Sequence, residues 1–364
     1  MMLDAPALPP PAIVAPAPRE VSFGLVSGRA PLGTRQIVVH AGRYVVAERP
    51  LRGRSFSVRV PLQAGMTSVR VTTVDGLGRR SSTVVDQVYG LPADSEPAER
   101  APRLDPTLAL TIRTLALRHG GTSGIYVQDL RRGRGAAWNA GARFPAGSTL
   151  KLAIAVTVLR SLDGKPEPFT QVSRLLGKML VRSDNDAANA LEVWLAGSTS
   201  AGSRRVDETM RALGLYDSAM YGGYETFRGP AALSAPIPIR IESQPAFGVG
   251  KYSTAADLAR LARAVYLAAA GQGPLLRLGV SGAEARHLLW LLAQVTDRGK
   301  LDRFLGRGPV VMHKAGWLAD ARHDSGIVAY GGSVFVATVM TWRVREADVL
   351  AGRVALSAFA RFAG

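Results

Sequence analysis

The chain has 364 residues, 47% of them hydrophobic, no cysteine and a formal charge of +17. Its size accommodates a substantial core and two domains, and the lack of cysteine excludes disulfides, thiolate metal sites and cysteine nucleophiles. The charge favours anionic neighbours, but Arg is scattered, aromatics are only 7% and no zinc-finger or RNP pattern occurs, which argues against specific nucleic-acid recognition; no run of about 18 apolar residues is present to span a membrane.

Residues 1–19 are rich in Pro and Ala. That composition predicts an extended tail without regular structure, and the segment lacks the basic and apolar regions of a signal peptide. From 20 to 92 the texture changes to short alternating runs, RQIVVH (35–40), RYVVA (43–47), RSFSVRV (54–60) and TSVRVTTV (67–74). Period-two patterning indicates strands, and the Ala41-Gly42 and Asp75-Gly76 pairs supply turns. Together they predict a small β-sandwich of immunoglobulin-like type. Between Glu20 and Tyr89 there are 10 Arg against 4 acidic residues, either a solvated basic surface or a contact for an anionic cell-wall polymer. The Pro-rich, charged segment 93–103 reads as a linker.

The remainder, 104–364, begins with an apolar helix over 107–118 and two strands, 124–130 and 135–139, joined by an Arg-Gly turn. Residues 144–159 form a turn leading into a second apolar helix, and another helix is expected over 187–195. An irregular stretch to Lys251 precedes helices near 254–270 and 283–295. The end reads strand, strand, strand, helix, over 309–316, 324–331, 333–342 and 348–362. Helices segregated from a terminal meander indicate an α+β fold, an antiparallel sheet flanked by helices.

Three stretches of this second domain carry chemistry. In FPAGSTLKLAIAVTVL, Ser148 and Lys151 stand one helical turn apart at the mouth of the helix. A hydroxyl there is close to free backbone N–H groups and to the positive end of the helix dipole. Burial among Leu150, Ile154 and Val158 disfavours the charged form of Lys151, so it can serve Ser148 as a base. The chain uses 39 Arg but only 6 Lys, and Arg cannot be deprotonated in a protein, which makes a lysine at this place informative. Ser183-Asp184-Asn185 follows, also a helix N-cap signal, and then His313-Lys314-Ala315-Gly316-Trp317 after an apolar run.

In that order these stretches resemble the S-x-x-K, S-D-N and K-T-G signatures of the penicillin-recognising serine enzymes, most nearly the class A β-lactamases and related serine hydrolases. The resemblance covers roughly Leu104 to Gly364. It implies that Ser148 attacks a β-lactam or peptide carbonyl, that Lys151 assists the proton transfer, and that Ser183, with Lys314 beside it, protonates the leaving nitrogen. Asn185 would donate to the substrate amide, and the N–H groups of Ser148 and of Trp317, which ends the Ala315-Gly316 stretch, would hold the oxyanion. It also implies a small β-lactam or a peptidoglycan stem peptide as substrate, no cofactor, no metal, and an exported protein (periplasmic, cell-surface or secreted) whose leader is missing from this sequence. A D,D-peptidase or penicillin-binding acyl-enzyme former, and a non-catalytic wall-binding protein, are the alternatives.

The chain departs from that pattern in three ways. The E-x-x-L-N signature of the class A water-activating glutamate is absent; Glu225, 40 residues after Asn185, is the candidate base, or else a solvent-facing loop carboxylate. Glu208, on a helix-like stretch, and Glu242, in what reads as an insertion, compete less well. Only 35 residues separate Ser148 from Ser183, which predicts a trimmed, more open cleft. Ala315 replaces the Thr or Ser that helps hold the substrate carboxylate, with Arg322 or His313 as candidates to compensate; His313 reads equally as a packed strand residue.

Overall fold

Two units, Met1–Ser95 and Glu96–Gly364, make up the chain, of which the computed structural model describes residues 8–226, 237–238, 244 and 246–363. The first unit is all β: β1 (Ala12–Ala15), β2 (Glu20–Ser22), β3 (Leu25–Arg29), β4 (Thr34–Ala41), β5 (Tyr44–Pro50), β6 (Ser55–Arg59), β7 (Gly65–Asp75) and β8 (Arg80–Gly90). They form two sheets, ordered β1-β3-β6 and β2-β8-β7-β4-β5. Alternation in the strands buries Val26 and Phe56 from one sheet against Ile37, Val39, Val69 and Val71 from the other. The tail expectation is corrected here, because β1 lies inside the Pro-rich segment and pairs antiparallel with β3, Ala12 opposite Arg29. Pro11 and Pro16 flank β1 rather than interrupt it, and β1 is an edge strand, where Pro neighbours are tolerated.

The second unit contains β9 (Arg103–Leu104), α1 (Pro106–His119), β10 (Thr122–Asp129), β11 (Arg134–Trp138), β12 (Arg143–Pro145), α2 (Lys151–Arg160), α3 (Gln171–Val181), α4 (Asn185–Ala196) and α5 (Thr199–Ala212). It continues with β13 (Tyr252–Thr254), α6 (Ala255–Ala269), α7 (Pro274–Arg277), α8 (Gly282–Leu292), β14 (Val310–Leu318), β15 (Ala321–Tyr330), β16 (Ser333–Trp342) and α9 (Ala347–Ala363). The main sheet runs β14-β15-β16-β10-β11-β9 and is antiparallel except for the short β9–β11 pair. Leu108 and Ile112 of α1 and Val354 and Ala358 of α9 pack on it against Val127, Phe335 and Ala337. The fold is α+β, a helix-flanked antiparallel sheet preceded by a smaller all-β unit.

Helices α3, α5 and the four-residue α7 fall where the sequence was passed over or read as irregular, although the stretch around Glu208 in α5 did read as helix-like. In α5, TSAGSRRVDETMRA, the buried stripe is Gly202, Ser203, Val206, Thr209 and Met210, too polar to stand out as an apolar period. The stripe of α3, by contrast, is legible, with Leu176, Met179 and Leu180 buried. The central helix α2 buries every residue from Lys151 to Leu159, as expected of a helix enclosed by neighbours on all sides; α3, α4, α5 and α6 contact it. Among the described residues, no helix is long and apolar enough to cross a membrane.

Candidate active site

Ser148 sits in a 3-10 turn, Gly147–Leu150, that leads directly into α2. Gly147 makes the turn with a φ of 53°, a left-handed conformation that favours glycine. The turn is held from two sides. Pro145 O accepts a hydrogen bond from His323 Nε2 of β15 at 2.7 Å, and Ala146 N donates to Lys251 O at 2.8 Å. The edge strand β14 runs beside it so closely that a Cβ on Gly316 would stand 2.9 Å from Ser148 N and 3.0 Å from Ala146 O. Glycine is therefore required at 316. The same approach puts Trp317 N 3.2 Å from where a Cβ on Gly147 would stand, so the backbone nitrogens of Ser148 and Trp317 flank one turn.

Lys151 is fully buried and is held at the first turn of α2 by two acceptors, Ser183 O and Asn185 Oδ1, each at 2.5 Å. Its Nζ lies 4.7 Å from the centre of the Tyr224 ring. Burial lowers the Lys151 ammonium to about 7, with the charges of Lys314 and Lys251 acting the same way and Asp184 opposing them. Lys314, on β14, donates to Ser183 Oγ at 2.9 Å and to Ala315 O at 2.7 Å. Burial brings it to about 8 against the pull of Asp297 and Asp324, with Lys300 adding to the lowering. Ser183 thus joins the two amines, its carbonyl to Lys151 and its hydroxyl to Lys314. It does so at a φ of 60°, where a residue other than glycine is strained.

Asp184 caps α4, accepting from Ala187 N at 2.7 Å, and so fixes the start of the helix on which Asn185 stands. The amide of Asn185 bridges to the next loop, donating to Glu225 O at 2.7 Å. One turn further along α4, Asn189 donates to Tyr224 O at 2.8 Å and accepts from Tyr224 N at 2.6 Å. The side chain of Glu225 is exposed. A cavity of about 330 Å3 is lined by Ser148, Asn185, Tyr224, Glu225, Lys251 and Trp317, among others. The cleft therefore brings Ser148, Asn185, Glu225 and Trp317 to one surface, with Lys151, Ser183 and Lys314 in contact behind it.

Three candidates stand elsewhere. His313 is buried on β14, its Nδ1 bonded to both carboxylate oxygens of Asp324 at 2.7 and 2.8 Å, so it packs within the sheet. Arg322 stacks on Trp317, 5.7 Å from the ring centre, and donates to Leu318 O; neither His313 nor Arg322 lines the Ser148 cavity. Glu208 is on α5, 3.4 Å from Arg205, and Glu242 lies outside the described residues. No group of three or more His, Cys, Asp or Glu side chains suited to a metal occurs among the described residues.

Comparison with known proteins matches this geometry to a family. The sequence profile of the β-lactamase enzyme family fits residues 107–166 and 163–362, well over half of the chain. The chain belongs to the β-lactamase enzyme family. That family is one of serine hydrolases of the β-lactamase and penicillin-binding type. A curated β-lactamase of Streptomyces lavendulae is 30% identical over 139 residues, covering 30% of this chain and 46% of the relative; the match spans about half of that protein's length. Among solved structures, a mutant of PBP-A in an acyl-enzyme complex with penicillin G is similar over 72% of this chain and 99% of its own, with a TM-score of 0.57 and 20% identity. A β-lactamase from Sphaerobacter thermophilus covers 70% of this chain and 96% of its own, with a TM-score of 0.53 and 19% identity. At those identities the likeness is one of fold.

In this β-lactamase family member, sequence reasoning missed two residues lining the cleft, Tyr224 and Lys251, and Asn189, which holds Tyr224. Lys251 was accessible to it, being one of only 6 lysines. Its Nζ donates to Gly223 O at 2.6 Å and lies 4.7 Å from the Tyr224 ring centre. Tyr224 and Asn189 carried no local signal, because their roles come from a contact 35 residues apart.

Proposed function

We propose that the protein is a serine hydrolase that opens β-lactam rings through an acyl-enzyme on Ser148. Neutral Lys151 takes the Ser148 proton as the hydroxyl oxygen bonds to the lactam carbonyl carbon. The oxyanion rests on the N–H groups of Ser148 and Trp317. The lactam C–N bond then breaks, and the proton passes to the nitrogen through the Ser183 hydroxyl, with Lys314 beside it. Asn185 donates to the substrate amide. Water then cleaves the ester, releasing a carboxylic acid and restoring the serine, with Glu225 as the base at the cleft surface.

The observation that carries this reading is the convergence on Ser183, which touches one lysine through its carbonyl and the other through its hydroxyl. A second reading, a penicillin-binding-type acyl-enzyme former acting on peptidoglycan stem peptides, is supported by the Tyr224 ring that covers Lys151 and by the exposure of Glu225. Either activity suits an exported protein, and the basic all-β unit, read as immunoglobulin-like, would then contact anionic wall polymer.

Intact mass followed over time after mixing with excess penicillin G tests these assignments. Drug loss without a lasting adduct, with an adduct trapped by Glu225→Gln, is the outcome expected of a β-lactamase. A lasting adduct on the wild type would instead establish the penicillin-binding reading. If Ser148→Ala acquires the adduct or consumes the drug as the wild type does, the nucleophile is misassigned.

A further inference from the structure

We propose that Lys251 is a positioning residue for Lys151, its charge acting across the Tyr224 ring to keep Lys151 ready to take the Ser148 proton. The proposal rests on the reading of Ser148 and Lys151 as nucleophile and base. Both amine nitrogens lie 4.7 Å from the centre of one ring, so they are separated by no more than twice that distance. Lys251 is also tied to both sides of the cleft. Its carbonyl accepts from Ala146 N, two residues before Ser148, and its Nζ is bound to Gly223 O next to Tyr224. The Tyr224 ring offers each ammonium its negative face, and Asn189 clamps that residue by both its N–H and its carbonyl.

The charges around the pair leave the repulsion in place. Facing Lys151 are Lys314 from β14, Asp184 at the cap of α4, and Lys251. Facing Lys251 are Glu192 from α4 and Glu225 from the loop. Glu225 is exposed, and water screens its pull. Glu192 is fully buried with Ser203 Oγ on one oxygen at 2.6 Å; burial pushes its carboxyl up to about 7, so at neutral pH it offers Lys251 only part of a charge. Two ammoniums at this separation, in the effective dielectric of a protein, lower each other's proton affinity by about tenfold, or about one pH unit.

Only 6 lysines are present, so full-length protein labelled with 13C at lysine Cε gives a spectrum simple enough to titrate residue by residue, with Lys151 assigned by its loss in Lys151→Arg. The expected result is a Lys151 midpoint raised by about one pH unit in Lys251→Met and left near the wild-type value in Lys251→Arg, which keeps the charge. The acidic limb of the penicillin G acylation rate should move with it. An unmoved midpoint in Lys251→Met, or an equal rise in Lys251→Arg, overturns the proposal in favour of a loop staple. Should Lys251→Met fail to fold, wild type decides: coupled amines titrate in two steps, and independent single-step curves for both lysines overturn the coupling. The titration needs no substrate, so it stands or falls separately from acylation, which the adduct mass reports.

Discussion

At Gly316 the demands of the cleft fall on a single atom. The position has Ser148 N on one side and the Thr149 methyl, 3.0 Å from an added Cβ, on another, and neither the turn nor the edge strand has slack to give. Gly316→Ala must push β14 away from the serine turn and separate the Trp317 and Ser148 nitrogens. A misplacement of this kind costs about 100-fold in acylation, and crowding a contact without slack also lowers the melting temperature. Adduct formation timed by mass spectrometry, alongside thermal unfolding, checks it; an alanine variant that acylates at the wild-type rate would falsify the oxyanion assignment. Ser183 shows the same economy. Its strained backbone presents carbonyl and hydroxyl to two amines, those of Lys151 and Lys314, from distant parts of the chain.

Strand β15 and the serine turn are locked by His323, which is fully buried between Pro145 O at 2.7 Å and the donor Thr341 N at 3.1 Å. With Nδ1 accepting and Nε2 donating, the ring is neutral. Burial, opposed by the bonds to the Pro145 and Arg322 backbone and aided by the Arg322 charge, lowers its pKa from 6.5 to about 4. Between those values the unfolded chain binds the proton that the folded chain refuses, so the folded state loses stability as pH falls through this window. The loss by pH 4.5 is about 2 kcal/mol. Urea midpoints at pH 7 and 4.5 for wild type and His323→Gln isolate it, since the carboxylates titrate in both. Equal losses in the two proteins would remove His323 as the source. Protonation keeps the Nε2–H bond to Pro145 O and removes the Nδ1 acceptor for Thr341 N, so acid acts first on the contact between β15 and β16 rather than on the serine turn.

Each unit of the whole molecule closes its own core. Val26, Ile37 and Val69 belong to a cluster within the first unit, and Leu108, Phe335 and Val354 to one within the second, so neither needs the other's apolar surface to fold. A chain beginning at Glu96 should fold and acylate at the rate of the full protein. Circular dichroism and the penicillin G adduct time course check this, and a fragment that is unfolded or unreactive would show that the all-β unit completes the catalytic one.

Sequence alone determined the elements whose signal is local. Alternation marked the strands β4 to β7, helical period marked α1, α2 and α9, and the three-residue step from Ser148 to Lys151 placed both at one turn, because neighbours along a chain are bound by backbone geometry. It also identified the family through Ser183 and Lys314, whose side chains prove to be in contact although 131 residues apart. What packing decided lay beyond that reach. The polar α5 and the edge strand β1 exist because partners cover or pair them, which no short window records. The sequence already offered His313 as a packed strand residue; tertiary structure alone gave it Asp324 as a partner and put Arg322 onto Trp317. It also brought Tyr224 and Lys251 to Lys151, since a buried charge responds to whatever neighbours folding assembles around it.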